Sequence, residues 1–340
     1  MNIRNLQKML SNITEIKPLG KTAKVNGVIC HIIGLVRYEH VLRIVALQYD
    51  GAFAERIEAD ETANPQTNRE FLRSDRNINM TNIFHAVNTI SIGEKQFAVD
   101  GTETMRCDLQ NWEMLVMLIE FLRLGWNPSG IEYQNIESLF LTIAELSGEY
   151  DCMPDFGESS VLHLTFRYEP VPYLVEQSVT LAVGTKYPDR LWFQDKNTEE
   201  KHWVQINRVY LLDIWEEAMK IFNDPCLTEK FTAAELERNK EEFERGLTAI
   251  CPKCMCFPVI EYECEEDIAL QFHSKTWLDA EPDDSGYCIG FLMKPDEKTG
   301  VLGLPLKTAM VQEPMPQDTL IIQSELFSYI KPQKYEDVTM

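Results

Sequence analysis

Two apolar runs near the start of the chain set the terms for its fold. Residues 25–35 and 41–49 are dense in Val, Ile and Leu, and only the polar stretch Tyr38-Glu39-His40 parts them. Branched side chains suit a pleated surface, so two such runs this close predict a hairpin or neighbouring strands. The same kind of run recurs. Residues 89–92 and 96–99 flank a Gly93-Glu94-Lys95 turn, and residues 161–168, 173–183 and 191–193 alternate enough for an antiparallel sheet. Residues 202–206 add a further strand, as do 257–262, 287–293 and 301–304. Residues 320–330 fit either a strand or a short helix.

Helical spacing interrupts these runs. Ile3, Leu6, Met9, Leu10 and Ile13 share one helical face. A short helix is expected near 69–74 within a polar loop. Asp108 can cap a helix carrying Trp112, Leu115, Val116, Leu118, Ile119 and Leu122. Those residues cover more than half its circumference, which predicts a buried helix. Gly125 and Pro128 end it. Further amphipathic helices are expected at 136–146 and 209–222. Thr232 and Glu235 form a capping box that opens a charged helix over 233–248.

The fold class expected from this order is α+β: antiparallel sheets with helices packed on one face, in two or three subdomains. A break in pattern at 149–158 puts an N-terminal α+β unit at 1–150. A middle β-then-α unit follows at 151–231. A linking helix plus a Cys-containing, β-rich unit fills 232–340. The tail after Pro332 is polar and reads as frayed.

One stretch concentrates specific chemistry. Cys251 and Cys254 stand at the Cys-x-x-Cys spacing that lets a tight turn present two sulfurs to one zinc ion. Cys256 and Cys264 complete a candidate set of four, with His273 and Cys288 also in range. A structural zinc site on Cys251, Cys254, Cys256 and Cys264 is therefore one expectation for the C-terminal unit. A redox dithiol is a second reading, but a helix should then follow the pair, and here apolar and aromatic residues follow. Ordinary thiols in a reducing compartment are the third. Nine Cys at irregular spacing in 340 residues favour a reducing, cytoplasmic setting over a disulfide framework. The first residues lack the apolar core and cleavage site of a signal peptide.

Charge narrows the function classes. Thirty-two basic residues against 54 acidic ones leave a formal charge of −22. Nucleic-acid binding and adhesion to anionic membranes need basic surface, so neither is expected, whereas a basic protein partner is. Glu261, Glu263, Glu265, Glu266 and Asp267 crowd together without the spacing or Gly of a calcium loop, and read as a solvated acidic face. Asp279, Glu281, Asp283 and Asp284 form a second acidic run. No phosphate loop, His-Glu-x-x-His or Gly-x-Ser-x-Gly motif occurs. His31 and His40 read as packed or solvated residues. Trp192, Trp203 and Trp215, with Tyr168, Tyr173, Tyr187 and Tyr210, could form either a recognition patch or an aromatic core. The expectation is a non-enzymatic binding or interaction protein. A hydrolase-like enzyme assembled from distant residues is the alternative, and a nucleic-acid mimic or immunity-type inhibitor the third.

Overall fold

The computed structural model describes residues 4, 7, 11–25, 28–51, 55, 65–78, 83–93, 95–107, 112–128, 130–131, 134–150, 153, 161–185, 187–223, 231–282, 295 and 297–340. In chain order, strands β1 (Ile13–Val25), β2 (Val28–Tyr38) and β3 (Val41–Tyr49) precede helix α1 (Asn68–Ile78). The hairpin β4 (Val87–Ile92) and β5 (Lys95–Arg106) leads to helix α2 (Trp112–Arg123), then β6 (Leu139–Leu146), β7 (Leu162–Phe166) and β8 (Tyr168–Ala182). Strands β9 (Leu191–Gln194) and β10 (Lys201–Leu212) come next, followed by helices α3 (Ile214–Met219) and α4 (Ala233–Ile250). Then come β11 (Met255–Glu263), β12 (Ala269–Ser274), helix α5 (Lys275–Leu278), β13 (Leu306–Met310), β14 (Met315–Pro316), β15 (Ile321–Lys334) and β16 (Val338–Thr339). Among the described residues strand accounts for 52% and helix for 21%; the antiparallel sheets are as expected, but the protein is mainly β rather than α+β with helices packed on one face.

The chain divides into two compact units, and both are discontinuous. Residues 1–64, 73–169 and 333–340 form the first, and 65–72 with 170–332 the second. Residues 65–72 are held in the second by Arg69, which pairs with the buried Glu325, and by Asn68, whose Nδ2 donates to the Trp277 carbonyl at 2.9 Å.

Unit 1 is one eight-stranded curled sheet in the order β1-β2-β3-β6-β5-β4-β7-β16. Leu42, Ile44 and Ala46 of β3 point into the hollow of the curl, against Phe84, Ile90 and Leu164, while Val45 and Leu47 face α2. Two-sided burial explains a misread element. Residues 136–146 are apolar without strict alternation because β6 is buried on both faces between β3 and β5. They form a 3₁₀ turn and a strand, not a helix. The tail after Pro332 is not frayed either. Leu162 and Met340 exchange backbone hydrogen bonds, and Tyr335, Val338 and Met340 pack on the core. A polar-looking tail is ordered here because its alternate apolar residues extend an otherwise open edge.

Helix α2 presses Met114, Met117, Leu118 and Phe121 onto the convex face. It is not buried all round as expected, since Ile119 and Leu122 are exposed. The expected cap, Asp108, lies outside the described residues. Phe121 comes so close to β2 that a Cβ on Gly34 would fall on its ring and on the Lys17 carbonyl. A bulge at the same point sets Ile33 and Gly34 opposite Val45 and resets which face each β2 residue uses.

Unit 2 rolls two sheets into a closed shape. One has the order β13-β11-β10-β9, with β14 also pairing β11, and the other β12-β15-β8. The sheets join at both corners, by an antiparallel bridge between Gly184 and Val209 and a parallel one between Phe272 and Val311. Gly184 takes φ 136°, which side chains disfavour. Residues 209–222, expected as one helix, begin as the end of β10, and only Ile214–Met219 is α-helical. Residues 301–304 form a turn, not a strand, while 287–293 lie outside the described residues. The Thr232–Glu235 capping box is present, and α4 packs Leu247 against Ile214, Ala218, Cys251 and Phe257. Among the described residues no helix is long and apolar enough to cross a membrane.

Gly34→Ala should cost about 1–3 kcal/mol, because neither a carbonyl nor a packed ring can yield to the new methyl. Gly101→Ala, where a Cβ meets nothing within 4 Å, should be close to neutral. Urea unfolding followed separately for each variant checks the contrast.

Candidate functional site

The four thiols of the candidate zinc set do not converge. Cys251 follows α4 as its C-cap and is buried, with its Sγ donating to the Met255 carbonyl at 3.4 Å. Burial first, then the charges of Cys256 and Asp213, push its thiol up to about 11. Cys254 is exposed at the turn with φ 70°. Cys256 is buried at the start of β11, and burial raises its thiol as well. Cys264 lies past the other end of β11, roughly 30 Å along an extended strand. It packs in the core of unit 2 and donates to the Glu266 carbonyl at 3.1 Å. His273 is buried and stacks on Trp277 with centroids 4.8 Å apart, and Cys288 lies outside the described residues. Among the described residues no three His, Cys, Asp or Glu side chains gather as a metal site would need.

The acidic run at 261–267 is split: Glu261 and Glu263, on β11, are built into the unit, Glu266 is half-buried, and Glu265 and Asp267 are exposed as expected. Glu261 is buried and takes two hydrogen bonds from Arg208, at 3.0 and 2.6 Å. Glu263 is fully buried and accepts from the backbone N–H groups of Leu302 and Leu304 and from Asn207, at 2.8, 3.0 and 3.1 Å. Three donors on one carboxylate offset its desolvation and fix the 300–304 turn against the sheet. Asp267 pairs with Lys307 at 2.9 Å.

Two of the tryptophans singled out from the sequence, Trp192 and Trp203, meet on the β9–β10 ladder. Cross-strand register sets His202 opposite Phe193 and Trp203 opposite Trp192. Strand alternation then sends the first pair inward and the second outward. Trp215 stands apart: it packs with the α3–α4 core, and its Nε1 donates to the Cys251 carbonyl at 2.9 Å.

Inside, His202 is held at both ring nitrogens. Nδ1 lies 2.6 Å from Glu266 Oε1 and Nε2 lies 3.1 Å from the Tyr329 hydroxyl. Burial works to raise the Glu266 carboxyl, but hydrogen bonds from His202 and Lys331 outweigh it and hold the group below its ordinary range. A carboxylate can only accept, so Nδ1 carries a proton. Burial first, then the charge of Asp195, raises the Tyr329 hydroxyl, which stays protonated within hydrogen-bond distance of Nε2. Tyr173 stacks on Tyr329 at 5.1 Å and Phe193 on His202 at 5.5 Å. A histidine oriented by a carboxylate is the arrangement of a general base. Here Tyr329 occupies the nitrogen that would act, and His202, Phe193 and Tyr329 are all buried.

Outside, Trp192 is 57% exposed. Its neighbour Trp203 carries the Arg190 guanidinium 3.9 Å from its ring centroid, and farther along β10 Arg208 lies 4.5 Å from that of Tyr210. A cleft of about 340 Å³ borders this face, lined by Gln177, Trp192, Phe193, Gln194 and Lys201. The turn joining the strands carries exposed Glu199 and Glu200, and Asp189 is exposed beside Arg190. The density of Trp and Tyr was visible in the sequence. Which of them face out was not, because that depends on pairing register.

No family model, curated protein or solved structure matches the chain.

The depressed Glu266 carboxyl contributes stability above the ordinary glutamate range, about pH 4.3, and that contribution is lost as pH falls through its lowered value. Glu266→Gln should therefore be less stable than the parent at neutral pH and approach it in acid, as read from urea midpoints across a pH series. Cys254→Gly should raise stability by about 0.5–1 kcal/mol, since glycine takes φ 70° without strain. Thermal melts of the two proteins check it.

Proposed function

We propose that this is a non-enzymatic binding protein whose partner docks on the outer face of β9 and β10. The observation that carries the reading is Trp192, more than half exposed beside Trp203 on a rigid two-stranded ladder. Large aromatic side chains left in water on a fixed scaffold are what binding hot spots are made of. The face already accommodates guanidinium groups, since Arg190 lies over Trp203 and Arg208 over Tyr210. The long-range field of a chain with charge −22 draws basic partners, and the exposed Asp189 and Glu199 supply local carboxylates. A basic protein segment placing an arginine on Trp192 satisfies both features.

The enzymatic reading has one observation in its favour, the oriented imidazole of His202. Burial of that ring and its contact with Tyr329 make the arrangement a structural relay, which is why binding is preferred.

An arginine octapeptide should quench tryptophan emission saturably, and binding should weaken in high salt. Trp192→Ala should lower its affinity at least fivefold, and a glutamate octapeptide should not bind. Loss of the arginine-peptide signal from the parent protein, or an unchanged affinity in Trp192→Ala, would overturn the assignment.

A further inference from the structure

The cleft beside Trp192 holds a charge that the docking of a basic segment does not by itself explain. On the outer face of the ladder, the Trp192–Trp203 rung is followed by Gln194 opposite Lys201. Outward residues of a strand follow one another at roughly 7 Å. Lys201 is exposed and lines the cleft of about 340 Å³ together with Trp192, Gln177 and Gln194. Among the described residues no carboxylate pairs with it, although Glu199 and Glu200 precede it in the chain. Glu200 instead comes within 3.9 Å of His202 Nε2. The other lysine of this hairpin, Lys196, is paired with Glu176. A chain with 54 acidic residues thus leaves this ammonium to an anion from outside.

The two glutamines set the polarity of the rest of the cleft. Gln177 Nε2 donates to the Trp192 carbonyl at 2.9 Å, and Gln194 Nε2 donates to the Glu199 carbonyl at 2.9 Å. Those bonds orient both amides and leave Oε1 of each to accept. A fitting ligand brings flat N–H donors and positive charge to the indole, and negative charge to Lys201 one outward step away. A C-terminal arginine carries both. Its guanidinium suits the indole face and the amide oxygens. Its own α-carboxylate stands at the other end of the side chain, a reach comparable with that step. An arginine inside a chain has no such carboxylate, and a C-terminal lysine lacks the planar fork.

We propose that the cleft reads the C-terminus of the docked segment: the terminal arginine lies on Trp192 and its α-carboxylate pairs with Lys201. This rests on the reading of the face as the docking site of a basic segment, and narrows that segment to a chain end.

Three peptides titrated against tryptophan emission test it: an arginine octapeptide with a free C-terminal acid, the same octapeptide as its C-terminal amide, and the free acid extended by two glycines. The long-range field of the protein favours the amide, which is the more positive of the first two, so tighter binding of the free acid cannot come from net charge. The free acid should bind about threefold tighter than either of the others, as an exposed ion pair allows. Lys201→Ala should bring the free acid to the affinity of the amide, and Lys201→Arg should keep the difference. Equal affinity of free acid and amide for the parent protein overturns the carboxylate inference and leaves the docking reading standing. So does a glycine-extended peptide that binds as tightly as the free acid, or a difference undiminished in Lys201→Ala. Failure of all three peptides to bind overturns both. Should Lys201→Ala not fold, the three-peptide comparison on the parent protein decides.

Discussion

Strand β10 is the element on which unit 2 depends. It pairs with β9 along its first half and with β11 along its second, and Val209 reaches Gly184 to join the two sheets. Its inward residues Val204, Ile206 and Val209 belong to one core, and a register shift between Ile206 and Arg208 keeps Val209 inward. A closed sheet leaves few open edges, so this pairing secures hydrogen bonds and core at once. The same strand carries His202 inward and Trp203 outward, so the buried relay and the candidate binding face share one backbone.

An acidic chain must either keep its carboxylates in water or supply donors for those it buries. Unit 2 does the second repeatedly. Glu261 has Arg208, Glu325 has Arg69, Glu266 has His202 and Lys331, and Glu263 has two backbone N–H groups and an asparagine. Each arrangement ties segments distant in the chain: Arg69 and Glu325 are 256 residues apart. Such pairs add little net stability over apolar residues of the same volume, but losing one partner leaves a buried charge uncompensated. They therefore act as geometric constraints, and the turn at 300–304 is shaped by one of them.

Much of the β content was legible. The hairpins at β2–β3 and β4–β5, the strands around 161–183 and the capping box of α4 all follow from side-chain alternation and local donor chemistry. Apolar runs without alternation were the failure. In β6 and the end of β10, an unbroken apolar run has no period to read, so helix and strand look alike. The acidic run at 261–267 misled at Glu261 and Glu263 for a related reason. Composition shows that carboxylates are numerous, not that donors from β10 and the 300–304 turn will arrive beside them.

The sequence by itself determined that the chain forms antiparallel strands, where α4 starts, and that its tryptophans cluster near 192–215, because these rest on interactions within a few residues. Only the tertiary structure decided that residues 65–72 join unit 2 and 333–340 join unit 1, and that Trp192 faces water while His202 faces the core. It also decided that Cys251 and Cys264 lie in separate cores. These outcomes turn on strand register and on partners up to 256 residues away, and a one-residue change of register would reverse every inward and outward assignment on a strand.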